Sequence, residues 1–166
     1  STEWGVYRAY TQLSSWESGS ENSGIDSDVS NFDGGNRDIA TNNELWYVAI
    51  YADSPIAEET DLDGWTTDID NYIHIFAPHT STQVGVTQRH NGVWDSTKYR
   101  IMNETDWVTS LRFHSDLSSV RVEGMQVANR QSQDGYFSFI LQQEGITHIH
   151  QNLIGGSING NGLDIH

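Results

Sequence analysis

The chain has 166 residues, 36% of them apolar and 19% charged, which favours one domain over two. Most of the remainder is Ser, Thr, Asn, Gln and Gly, which excludes a long-helix bundle; the absence of Cys excludes a disulfide-stapled mini-protein. Eight Lys and Arg against 23 Asp and Glu give a net charge of −15 with no basic run, which excludes a phosphate-neutralising nucleic-acid groove and repels anionic lipid and acidic polysaccharide at long range.

An acid excess of this size serves solubility, attracts divalent cations or suits concentrated salt. The 6 Trp, 7 Tyr and 5 Phe supply a core that a disordered chain lacks. Ser1 to Gly5 show no basic segment before an apolar run, so no signal peptide is read there. The chain does not begin with Met, so a leader removed earlier or a trimmed chain is expected, with an extracellular or cell-surface location. No stretch reaches 18 apolar residues, so no membrane insertion is expected.

Residues 10–17 form the best helix candidate, with Thr11 as cap and Leu13 and Trp16 on one face. Ser18 to Gly24 stop it. Ile25 to Asn43, rich in Asp, Asn and Gly, reads as loop with at most one short strand. Leu45 to Ala52 is almost continuously apolar and reads as a strand covered on both faces. Glu58 to Asp70 reads as a polar loop, and 72–76 as a strand ended by Pro78. Shorter strands are expected at 83–87, 99–102 and 110–113. Asn103-Glu104-Thr105 matches the N-glycosylation pattern.

The last third repeats. Val120 to Val127 lies over Thr147 to Ile154 at an offset of 27, which sets Val122 on Ile149 and Val127 on Ile154. The same offset lays Gly135–Phe139 over Gly162–His166 and Tyr72 over Tyr99. Short strands with polar turns repeating at this length are what a parallel β-helix produces, one coil per repeat. An open α/β fold needs crossover helices that are absent; an antiparallel sandwich is the alternative, but gives no reason for a constant offset.

The runs 10–17, Gly64-Trp65-Thr66-Thr67-Asp68, 90–100 (His-Asn-Gly-Val-Trp-Asp-Ser-Thr-Lys-Tyr-Arg) and 120–127 resemble the start of right-handed parallel β-helix proteins of the pectin-lyase-like superfamily. The resemblance implies an all-β right-handed solenoid over 1–166, with 1–24 as an N-terminal cap region containing a short helix and 119–166 as the clearest coils. It implies no single activity, because that superfamily spans lyases, hydrolases, epimerases, adhesins and structural parts.

A pectate-lyase-like site needs acids holding calcium and a basic residue that takes a proton. Arg121 is expected to point outward, beside Val122, but no catalytic motif can be carried to a numbered residue. A hydrolase needs paired acids on adjacent coils; Asp134 and Asp164 fall out of the 27-residue register. His148 and His150 share one face of a strand, outward if Ile149 is inward, and neither His114 nor His166 offers an evident third metal ligand. The sharpest ion candidate is Asp61, Asp63, Asp68 and Asp70, hard oxygen donors around Gly64 that suit calcium. Asp26, Asp28 and Asp33 form a second such loop. Trp65, Trp94 and Trp107 stand in polar surroundings; they read first as rings covering loops packed on the β-helix flank, with stacking of exposed rings on sugars as the functional alternative.

The chain stops at Gly-Leu-Asp-Ile-His, partway along a strand. A cut chain, a small cap hidden in the turns, or a last coil covered by another subunit would each account for this. The leading expectation is a structural β-helix that assembles end to end with copies of itself, with Leu163, Ile165 and Tyr7 at the interface. The alternative is a carbohydrate-active β-helix, either a lyase or hydrolase fragment or a glycan-binding module.

Overall fold

A computed structural model describes residues 7–28, 30, 32, 34–52, 59–83, 87–103, 108–114, 116–129, 137–141, 145–155 and 161–165. Among the described residues, eleven strands follow two short helices, α1 (Leu13–Glu17) and α2 (Ile39–Asn42). The strands are β1 (Trp46–Ala49), β2 (Thr60–Leu62), β3 (Ile73–Phe76), β4 (Arg100–Asn103), β5 (Leu111–Phe113) and β6 (Ser119–Glu123), followed by β7 (Gln126–Asn129), β8 (Phe137–Leu141), β9 (Ile146–His150), β10 (Leu153–Gly155) and β11 (Asn161–Ile165).

They form three sheets, ordered β1-β3-β6-β9, β10-β7-β4 and β11-β8-β5-β2. Every strand pair is parallel, which excludes the antiparallel sandwich. From β3 onward the chain visits the three sheets in turn and returns to the first one rung higher, the arrangement of a β-helix-like solenoid. Side chains alternate across each strand, so each inward position stacks on its equivalent in the next rung. Val48, Ile75, Val122 and Ile149 form one such row. Ile101, Val127 and Ile154 form a second, and Leu62, Phe113 and Leu141 a third. Most of these side chains are fully buried, and no strand buries enough apolar surface without its neighbours.

The expected stacks of Val122 on Ile149 and Val127 on Ile154 are both present. The third block is corrected: β8 and β11 pair with Phe139 opposite Leu163, an offset of 24, because three fewer residues separate Ile154 from Leu163 than Val127 from Phe139. Tyr72 does not stack on Tyr99 either; Ile73 pairs with Val120, since the second rung carries a long excursion, residues 77–99, between β3 and β4.

Three local readings also change. The stretch 25–43 holds α2, whose first turn is capped by Asp38 Oδ1 accepting from Thr41 N at 2.9 Å. The loop at 58–70 contains β2. The strand in 45–52 is covered on one face only, since Tyr47 is exposed. Helix α1 begins at Leu13 with no side-chain cap from residue 12, and it buries Leu13 and Trp16 as expected. Trp16 stacks on Trp65 at 5.0 Å, and Trp46 meets Trp65 edge-on at 5.4 Å, closing the first rung with an aromatic plug. Strands β4 and β5 fall within a residue of expectation, while the strand at 83–87 falls largely outside the described residues.

Candidate functional site

Turns between the first and second sheets are tight in the upper two rungs. Gly124 and Gln151 both adopt the left-handed conformation there, at φ 74° and 53°. Asn152 ties the two turns together: its Oδ1 accepts from Met125 N and its Nδ2 donates to Val122 O, each at 2.9 Å. The strands flanking these turns are therefore held in strict register.

That register lines up the outward side chains of the first sheet in two rows. Tyr47, His74, Arg121 and His148 form one; Ala49, Phe76, Glu123 and His150 form the other. The rows wall an open cleft of about 390 Å3 bounded by His74, Arg121, Glu123, His148, His150 and Gln151.

Glu123 sits at its centre with both oxygens engaged. Oε2 lies 3.1 Å from His74 Nε2, and Oε1 lies 2.7 Å from Arg89 Nη2. Arg89 comes from the excursion, is buried, and also donates to Gln151 Oε1 at 2.6 Å and Ala77 O at 3.4 Å. It lies directly over Gly124, where any Cβ would overlap the Arg89 side chain; together with the positive φ, this requires glycine there. Because a carboxylate only accepts, the contact with Glu123 places the His74 proton on Nε2. Burial pushes the His74 pKa below its ordinary value; Glu123 pulls it up, and Arg121 and Arg89 push it further down.

Arg121 differs from Arg89. Its guanidinium lies 3.6 Å from the centre of the Tyr72 ring, a cation–π contact. Among the described residues no carboxylate lies within ion-pair distance of it, and its buried Nε has no hydrogen-bond partner. The neighbouring Tyr72 hydroxyl raises the Tyr47 hydroxyl pKa. His148 and His150 are exposed as expected, with rings 5.9 Å apart and nearly parallel at 12°.

The other sequence candidates lie elsewhere. Asp61, on β2, is 3.3 Å from Arg112 Nη1 and 3.8 Å from His114 Nε2. Asp68 Oδ1 accepts from Asp70 N at 2.9 Å and Asn71 N at 2.7 Å within its own turn. Asp63 and Asp70 are exposed. Among the described residues no three or more His, Asp or Glu side chains converge as a metal site requires. Asp26 Oδ1 caps its own turn through Asp28 N at 2.9 Å; Asp33 and Asp134 lie outside the described residues, as does the side chain of Asp164.

Trp65 is fully buried in the aromatic plug, as its packing role implies; Trp94 is half-buried, and Trp107 lies outside the described residues. Asn103 points inward at 4% exposure, so the glycosylation pattern there has no accessible amide. Tyr7 is exposed and β11 is the outermost strand of its sheet, but the side chains of Leu163 and Ile165 are not among those described. His74, Arg89 and Gln151 went unread in the sequence. The signal for His74 was its parity: β3, β6 and β9 each place two polar or aromatic residues on the outer face.

No family model, curated protein or solved structure matches the chain. The fold and the cleft therefore stand on their own geometry.

Proposed function

We propose that the protein is a glycan-binding β-helix whose cleft on the first sheet takes an oligosaccharide bearing carboxylate or sulfate groups. The single observation that carries this reading is Arg121, a guanidinium with no counter-ion among the described residues in a chain of net charge −15. Arg121 is half-buried with an aromatic ring but no counter-ion among the described residues, and a bound anion offsets the cost of leaving such a cation uncompensated. Glu123 does not compete, since Arg89 and His74 already occupy it. The rings of Tyr72 and the histidines flank the site and suit the faces of sugar rings.

The overall negative charge acts at long range and is screened over about 8–10 Å at physiological ionic strength, so contact with the cleft is governed locally. The reading includes closure of the three sheets into a right-handed solenoid, the hand that parallel crossovers adopt, and an extracellular or surface location. The test is an array of neutral, uronic-acid and sulfated oligosaccharides probed with labelled protein. Acidic glycans should bind and R121M should lose them; equal signal for neutral and acidic glycans would overturn the reading.

Two expectations from the sequence stay separate proposals with tests of their own. End-to-end assembly through β11 is checked by light scattering at high micromolar concentration. Calcium at Asp61, Asp63, Asp68 and Asp70 is checked by titration calorimetry.

A further inference from the structure

His148 and His150 stand beside Arg121 and Glu123 on the next strand of the first sheet. We infer that His148 and His150 are ligand-binding residues that engage the anion in their protonated form, so that capture is coupled to proton uptake. This inference rests on the proposed function, and its failure is separable from the failure of that reading.

The geometry carries it. The two rings stand 5.9 Å apart on adjacent outward positions of β9, nearly parallel, and both line the cleft. His148 is in register with Arg121, and His150 with Glu123. Neither ring makes a side-chain hydrogen bond or ion pair with a described residue.

The charges facing them are few. From β6 come Arg121 and Glu123, from β3 His74, and from the excursion Arg89; on β9 itself each histidine faces the other. Glu123 is matched by Arg89 and His74, so the uncompensated charge is the positive one of Arg121 beside His148. An anion seated against Arg121 reverses that local field and favours the imidazolium forms, which then donate from both walls. Binding and proton uptake are reciprocal: whatever raises the histidine pKa in the complex must make affinity fall as pH rises.

The test is titration calorimetry with two probes, a uronic-acid hexasaccharide and a sulfated galactose oligosaccharide, at pH 5.5 and 7.5. The sulfate ester does not titrate in that window, so any pH effect on it belongs to the protein. The wild type should bind the sulfated probe about tenfold or more tightly at pH 5.5, and a buffer-dependent heat should report proton uptake. H148Q/H150Q should lose the difference in affinity between the two pH values; both positions are exposed, so the fold should survive the change. Equal wild-type affinity at the two pH values would overturn this inference while leaving the glycan reading intact. No binding of either probe at either pH would overturn both.

Discussion

Arg89 Nη2 lies 2.7 Å from Glu123 Oε1, and the same guanidinium donates to Gln151 at 2.6 Å. One side chain of the excursion thus grips two successive rungs and fixes the carboxylate at the centre of the cleft. R89M is expected to cost about 2 kcal/mol, less than a fully buried pair would, because Glu123 keeps part of its surface in water. Urea denaturation should show a lower midpoint with an unchanged slope.

The excursion has a second anchor. Gln126 is fully buried; its Oε1 accepts from Asp95 N at 2.6 Å and its Nε2 donates to Asp95 O at 2.9 Å and Tyr99 O at 3.1 Å. Q126L leaves those backbone groups unpaired and should destabilise by about 2 kcal/mol or more. Hydrogen exchange at Asp95 should rise in the variant, while exchange in β9 should not.

His74 gives stability a pH dependence. Its native pKa is lowered, chiefly by burial, so the unfolded chain binds the proton more readily than the folded one. The stabilising difference is complete above the ordinary histidine range and is lost as pH falls through it toward the lowered native value. Melting temperatures measured from about pH 7.5 to 5.5, above the carboxylate range, should fall more steeply for wild type than for H74Q. Identical slopes would show that His74 does not titrate differently in the folded state.

Where turns are short, the fold was legible. The tight Gly124-Met125 and Gln151-Asn152 turns keep Val122 over Ile149 and Val127 over Ile154 at one offset, and sequence comparison finds such spacing directly. Where a rung carries an insertion, the spacing breaks although the stacking does not: Ile73 lies beneath Val120 with the excursion between them, so Tyr72 and Tyr99 aligned for no structural reason. The site was half legible for the same reason. His148, His150 and Arg121 were assigned outward from strand parity alone, whereas Arg89 reaches Glu123 only through the path of the excursion, which has no periodicity to read. A packing role for Trp65 was legible, but its partner was not, because its polar sequence neighbours say nothing of α1, whose Trp16 covers it.

The location of the ligand is the claim on which the functional account depends. Side-chain resonances of the histidines, followed by NMR during titration with a uronic-acid hexasaccharide at pH 5.5, test it most directly. The account expects His74, His148 and His150 to shift together, with the effect abolished in R121M, while His79, His90 and His114, which lie outside the cleft, stay unchanged. Shifts confined to His114 beside Asp61, or no shifts at saturating hexasaccharide, would contradict it.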